Sequence, residues 1–240
     1  MKHLWLIALA ACGPTPLGPR LDSGLEPDSS STTDAEPDGP SNVEPYRHTI
    51  AIDGTDDFAA VDRFDTTSSP SFAAMVSWDA TNLYLGYSGP DLDPGVGGAG
   101  TKWLFVYLDT AAGGATTSQQ YNTQTAALPF GAEHYLRHKA DGTVNSLESY
   151  DGVTWATSTS PVTAQGTGYF EMSISRAALG SPTTIGLVAY MINEQNLGEA
   201  TFAGLFSGNF VDGYNPAITK YLEVDLDGER VPNDPANAKP

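Results

Sequence analysis

From Phe72 to Asp225 the chain is cut into short runs of apolar, aromatic and β-branched residues by clusters that favour turns, and this punctuation restricts the fold more than any other feature. Residues 72–78 read as a strand. Asp79-Ala80-Thr81-Asn82 supplies turn chemistry, and residues 83–88 read as the hairpin partner. In that second run Leu83, Leu85 and Tyr87 share one face by period two, with Tyr84, Gly86 and Ser88 on the other. Residues 103–108 are apolar on both faces, as expected of a strand covered from two sides. Further strands are expected at 133–138, 145–150, 169–174, 184–193, 200–206 and 221–225. Asp141-Gly142, Asp151-Gly152 and Asp227-Gly228 mark turns, and only 176–179 reads as a short helical turn. Many short strands separated by regular turn signals give an all-β fold: an antiparallel β-sandwich of jelly-roll type.

The N-terminus has a different character. Met1-Lys2-His3, an apolar run over residues 4–11 and the small pair Ala10-Ala11 describe a secretory signal peptide ending before Cys12. Leu9-Ala10-Ala11-Cys12 resembles a bacterial lipobox, which implies a cysteine that carries lipid (palmitate among the acyl groups) after cleavage. Eight apolar residues are too few for the ~20 needed to span a bilayer, so attachment rests on acyl chains contributing roughly 0.8 kcal/mol per buried methylene. Gly13 follows the cysteine where an inner-membrane-retained lipoprotein often carries Asp. That sorting pattern implies the outer membrane, on its periplasmic face or at the cell surface. Residues 13–45 are rich in Pro, Ser, Thr, Asp and Glu and contain no aromatic residue. Such a segment cannot bury enough surface to offset ordering entropy and is expected to be a disordered tether with a reach on the order of 30 Å. The expected organisation is therefore a signal peptide at 1–11, a lipidated cysteine and linker at 12–45, and a sandwich domain at 46–240.

Charge narrows the partners. Seven of the 29 acidic residues, and Lys2 and Arg20 of the 11 basic ones, precede Tyr46. The domain thus keeps nine basic and 22 acidic residues and a formal charge of −13. That balance argues against nucleic acid and against adhesion to anionic membranes. It is compatible with a solvated acidic surface or with calcium held by clustered carboxylates. Cys12 is the only cysteine, so no disulfide is available within the domain.

Four segments carry a family resemblance. Ile52-Asp53-Gly54-Thr55-Asp56-Asp57-Phe58 and Trp78-Asp79-Ala80-Thr81-Asn82-Leu83-Tyr84-Leu85 resemble the opening and the aromatic–Asp hairpin of family 9 carbohydrate-binding modules and related DOMON-like sandwiches. Phe105-Val106-Tyr107-Leu108-Asp109-Thr110 is similar to the central strand of that family. The run from Phe170 to Gly180 is similar to its late strand and short turn, with Ser175 where proline is common. The four lie in the family's order across about residues 48–225. The resemblance implies a sandwich fold and a superfamily that includes glycan binders and haem domains, so function has to be read from the site.

Stacking against a pyranose needs flat aromatic faces with polar groups around them. Trp78, within the hairpin, reads as core. Trp103 shares a strand face with Phe105, Tyr107 and Asp109 and can pack or bind. Trp155 follows Asp151-Gly152-Val153-Thr154 at a turn, while Tyr121 and Tyr214 lie in polar loops. Trp155, Trp103, Tyr121 and Tyr214 are the ligand-binding candidates. For calcium, Asp91 and Asp93 alternate in one loop and Asp109 ends a strand; Asp53, Asp56 and Asp57 crowd an early turn. Catalytic signatures are missing: there is no Gly-x-Ser-x-Gly, no His-Glu-x-x-His and no phosphate-cradling glycine loop. His134 and His138 fall in an alternating run, where four residues of strand hold them roughly 13 Å apart, too far to share one ion. The expected function is a lipid-anchored, non-catalytic module for a polysaccharide or envelope glycan. The alternative is a calcium-stabilised structural or protein-partner domain without a sugar site.

Overall fold

The computed structural model describes residues 44–90, 92–93, 98–121, 123–194 and 200–240. Cys12 and Asp91 lie outside the described residues, as does the linker through residue 43. The described residues belong to one unit, Asn42–Pro240. Its strands are β1 (Arg63–Asp65), β2 (Ala73–Trp78), β3 (Asn82–Ser88), β4 (Lys102–Asp109) and β5 (Ala115–Thr117). They continue with β6 (Ala127–Ala132), β7 (His134–Lys139), β8 (Asn145–Tyr150), β9 (Trp155–Thr159) and β10 (Val162–Gly166). The last are β11 (Tyr169–Ser175), β12 (Thr184–Asn193), β13 (Ala200–Phe202), β14 (Tyr221–Asp225) and β15 (Ala238–Lys239).

Two antiparallel sheets form the sandwich. One has the order β1-β2-β3-β11-β10; the other has the order β15-β14-β12-β4-β7-β8-β9, with β13 added to β12. Between them lies a core of Ala74, Val76, Trp78, Leu83, Leu85 and Tyr87 from the first sheet. Leu104, Val106, Leu108, Leu136, Leu187 and Met191 face them from the second. Burying each large apolar side chain contributes roughly 1.5–3 kcal/mol relative to exposure. Trp78 is fully buried, as its place in the hairpin implies, and its ring meets Tyr46 edge-on at 5.2 Å.

β4 is buried on both faces because the domain has a third layer. Trp103, Phe105 and Tyr107 point away from the sandwich core into a second cluster with Val188, Tyr190 and Tyr135. The cover is β5 paired with β6, whose Leu128, Phe130 and Ala132 turn inward by period two. Gly131 is required there: a Cβ on it would lie 1.6 Å from the Gly113 carbonyl oxygen. In the sequence the stretch around Tyr121 reads as a polar loop, because Ala115-Thr116-Thr117 is short and carries no large apolar side chain.

The turn chemistry explains two of the recurring motifs. Burial opposes ionisation of Asp79, yet bonds from Tyr84 Oη at 2.6 Å, Thr81 N at 2.7 Å and Asn82 N at 2.8 Å hold its carboxyl far below the usual range. In the opening motif, Asp53 N and Gly54 N both donate to the fully buried Glu171, at 2.7 and 2.6 Å.

Three expectations are corrected. The strand read at 200–206 stops at Phe202, because Ala203 turns the chain at φ 48°. Strands β9 and β10 went unread, since both are sheet edges exposed to water and lack an apolar alternation. Residues 229–240, in which no strand is expected, are anchored at the sheet edge: Asn237 is buried and β15 pairs with β14. The Asp234 carboxylate caps the turn before it, accepting Ala236 N at 2.9 Å.

Candidate functional site

Register places the site residues. On the outer face of the larger sheet, Trp103 stands opposite Lys139 and Ile192, Phe105 opposite Arg137 and Tyr190, and Tyr107 opposite Tyr135 and Val188. One strand further, Arg137 pairs with Ser146 and Tyr135 with Glu148; beyond that, Tyr150 pairs with Trp155 and Glu148 with Thr157. Because side chains alternate, all of these share one face.

The rings form a continuous plate. Trp103 stacks on Phe105 at 6.1 Å and Phe105 on Tyr135 at 5.7 Å, and Tyr135 and Tyr107 stack at 4.8 Å. Trp155 ends the plate, edge-on to Tyr135 at 5.8 Å and Tyr107 at 6.1 Å and tilted against Tyr150 at 5.1 Å. Tyr121 descends from the cover to 5.0 Å from both Trp103 and Phe105, and its hydroxyl donates to Glu194. Burial pushes the Tyr107 and Tyr135 hydroxyls well above their ordinary range and that of Tyr190 to about 12, so all three stay protonated.

The centre of this plate is closed. Gln124 Oε1 accepts Thr201 Oγ1 at 2.9 Å and Asn215 N at 2.8 Å, and the Tyr214 hydroxyl lies 2.6 Å from Thr123 Oγ1. These bonds tie the cover to β13 and to the 210–216 loop. Under the cover remains a void of about 10 Å³ bordered by Phe105, Tyr107, Tyr121, Gln124, Tyr190 and Thr201. That is room for one water at most.

The margin is different. Beyond the cover, Trp155 is half-buried, Thr157 is exposed, and Arg137 and Lys139 keep 35% and 22% of their side chains in water. Lys139 Nζ lies 5.4 Å from the Trp103 ring centroid and 3.7 Å from Asp141; Arg137 Nη2 is 3.3 Å from Glu148 Oε1. Three buried polar atoms here have no hydrogen-bond partner among the described residues: Trp103 Nε1, Arg137 Nε and Ser146 Oγ. A buried donor left unmade costs about 1–3 kcal/mol, so groups of this kind call for an acceptor.

The structure therefore brings Trp103, Tyr121 and Trp155 to one face, and sets Tyr214, 57% exposed, at the far rim of the cover. Arg137, Ser146 and Glu148 escaped notice in the sequence. The available signal was the alternation of 133–138 and 145–150, which assigns them to the face of Tyr135.

The acidic candidates are dispersed. Asp93 accepts Gly168 N at the start of β11. Asp109 ends β4, where burial, then Glu133 and Glu223, raise its carboxyl above the ordinary value. Among the described residues no group of three or more His, Cys, Asp or Glu side chains could hold a metal ion. His134 and His138 point to the sandwich core. His138 is fully buried 4.8 Å from the Phe170 ring, and burial lowers its pKa to about 4.

No family model matches this chain, and no curated protein does. Among solved structures it is similar to a family 9 carbohydrate-binding module from Caldicellulosiruptor kristjanssonii, solved in complex with cellotriose. The TM-score is 0.42 at 14% identity, covering 80% of this chain and 99% of that one. A likeness of that extent leaves the site to be read from this chain's own residues.

Proposed function

We propose that this chain is a non-catalytic glycan-binding module that engages sugar at the open margin of its aromatic plate, between Trp103 and Trp155. One observation carries the reading. The half-buried ring of Trp155 adjoins two partly exposed cations, Arg137 and Lys139, and the exposed Thr157. A pyranose offers both complements: an apolar C–H face for the ring and hydroxyls that accept from the exposed ends of Arg137 and Lys139. Glu148 and Thr157 flank the same strip and supply acceptors. Lipid on Cys12 and an outer-membrane location belong to this proposal on the strength of residues 1–13 alone. Calcium would have to draw on Asp91, Asp93 or Asp109.

A structural or protein-partner role is the second reading. It is favoured by the cover, which already buries most of the plate and leaves Trp103 8% exposed.

The test is retention of the full chain on a panel of insoluble and soluble polysaccharides, in calcium and in chelator. Retention on a defined polymer, lost in Trp155→Ala, supports the glycan reading and locates its platform. Chelator sensitivity would bring in the metal. No retention in either condition refutes the glycan reading and leaves the protein-partner one.

A further inference from the structure

A second concave site lies on the flank where the two sheets end. β1 is the last strand of the smaller sheet and β15 the last of the larger, and the C-terminal segment crosses between them. Asn233 N donates to Val61 O at 3.0 Å and Asn233 Nδ2 to Ala60 O at 3.0 Å, while Ala238 pairs with Leu222. Below this crossing is a groove of about 420 Å³, within the ~300–1,000 Å³ range of small-ligand clefts.

Its floor is apolar and partly aromatic: Phe64, Phe206 and Leu222. Phe206 is held at φ 51°, a region that bulky side chains avoid. The loop around it fixes that conformation. Leu205 N donates to Ala189 O at 2.9 Å, Thr67 N to Gly204 O at 3.1 Å, and Asn209 Nδ2 to Leu205 O at 3.2 Å. Strained residues held by their surroundings gather at ligand sites, and this one sets an aromatic ring in the groove wall.

The rim is acidic. Asp65 and Asp234 both line the groove. The one cation on the rim, Arg63, is turned elsewhere: its Nη2 is 2.6 Å from Asp56 and 3.1 Å from Phe58 O. Neither Asp65 nor Asp234 forms an ion pair among the described residues, and Asp234 uses Oδ1 to cap Ala236. An aromatic ring and two carboxylates lining one groove are complementary to a positive charge on an apolar stem, through the ring quadrupole and through Coulomb attraction. The domain charge of −13 adds long-range attraction of the same sign.

We propose that this groove binds an organic cation of the alkylammonium class, with its stem on Phe206 and its charge between Asp65 and Asp234. The site is separate from the aromatic plate, and its fate does not depend on whether the plate binds sugar.

The test is a titration of the ¹⁵N-labelled full chain with choline, spermidine and N-acetyl-lysine methylamide, against the neutral isostere 3,3-dimethylbutanol and against glucose. Expected are saturable amide shifts at Phe64, Phe206, Ser207 and Asn233 with the cations, weakening several-fold from 50 to 300 mM salt. Asp65→Asn and Asp234→Asn should each weaken binding about fivefold; asparagine keeps the cap, so the fold is preserved. Cation shifts that do not saturate, equal binding of the isostere, or affinities unchanged in both variants would overturn the proposal. Glucose binding at these same amides would overturn it too, by assigning the groove to sugar.

Discussion

Gly54 N lies 2.6 Å from Glu171 Oε1, joining the first turn of the domain to the middle of a strand 117 residues later. Asp53 N shares that oxygen, and Tyr169 Oη donates to Oε2 at 2.6 Å. The buried carboxylate thus satisfies three donors, and burial together with this bond raises the Tyr169 hydroxyl above its ordinary range. Glu171→Ala leaves all three unmade and should cost about 3–5 kcal/mol. Glu171→Gln keeps an acceptor for the two amides and should cost less than half as much. Denaturant melts of the two variants check the order; equal losses would mean that side-chain volume, and not hydrogen bonding, holds the turn.

His138 gives the domain a stability that depends on pH. Its folded pKa is lowered to about 4 from 6.5 because burial disfavours the charged ring. Across that window the unfolded chain binds the proton more readily than the folded one. The stabilisation is therefore complete above about pH 6.5 and declines as pH falls toward 4, by up to about 3 kcal/mol. His138→Leu places apolar volume against Phe170 and should flatten this part of the stability–pH curve. A curve of unchanged slope between pH 6.5 and 4 would assign the acid sensitivity to carboxylates instead.

The C-terminal segment should contribute measurably to stability. Asn237 Nδ2 donates to Val231 O at 3.0 Å and Pro232 O at 3.1 Å, Asn233 holds β1, and β15 pairs with β14. At about 1 kcal/mol per net hydrogen bond, removing 229–240 should cost roughly 2–4 kcal/mol. The check is thermal melting of the truncated chain; an unchanged Tm would show that the segment merely rests on the surface.

At the plate margin, Arg137→Lys keeps the charge beside Glu148 but loses the Nε donor and the planar fork. If sugar binds there, affinity should fall about tenfold with Tm nearly constant. Isothermal titration with whichever polymer is retained provides the measurement, and an unchanged affinity would move the sugar away from Arg137.

How much of this was legible in the sequence depended on how each residue is buried. The β2–β3 hairpin and β4 were readable because core burial on one or both faces writes a period-two or continuous apolar signal. β9, with Ala156 to Thr159 exposed, writes none, because an edge strand is defined by its neighbour and not by its own side chains. The cover was hidden for a similar reason: β5 is three small residues, and Leu128-Pro129-Phe130 carries a proline that argues against a central strand. For the site, Trp103, Trp155 and Tyr121 could be named from ring chemistry. Their convergence, and the place of Arg137 and Lys139 beside them, required the register of β4, β7, β8 and β9.

Trp155 is gripped by Tyr107, Tyr135 and Tyr150 before any ligand arrives. Its rotamer freedom is therefore already lost on folding, and a sugar would meet a rigid surface at no further ordering cost. The tyrosines would then act on affinity without touching the ligand. Trimming Tyr150 to leucine would loosen the indole, and binding would weaken through the entropy of a plate that had to be stilled each time.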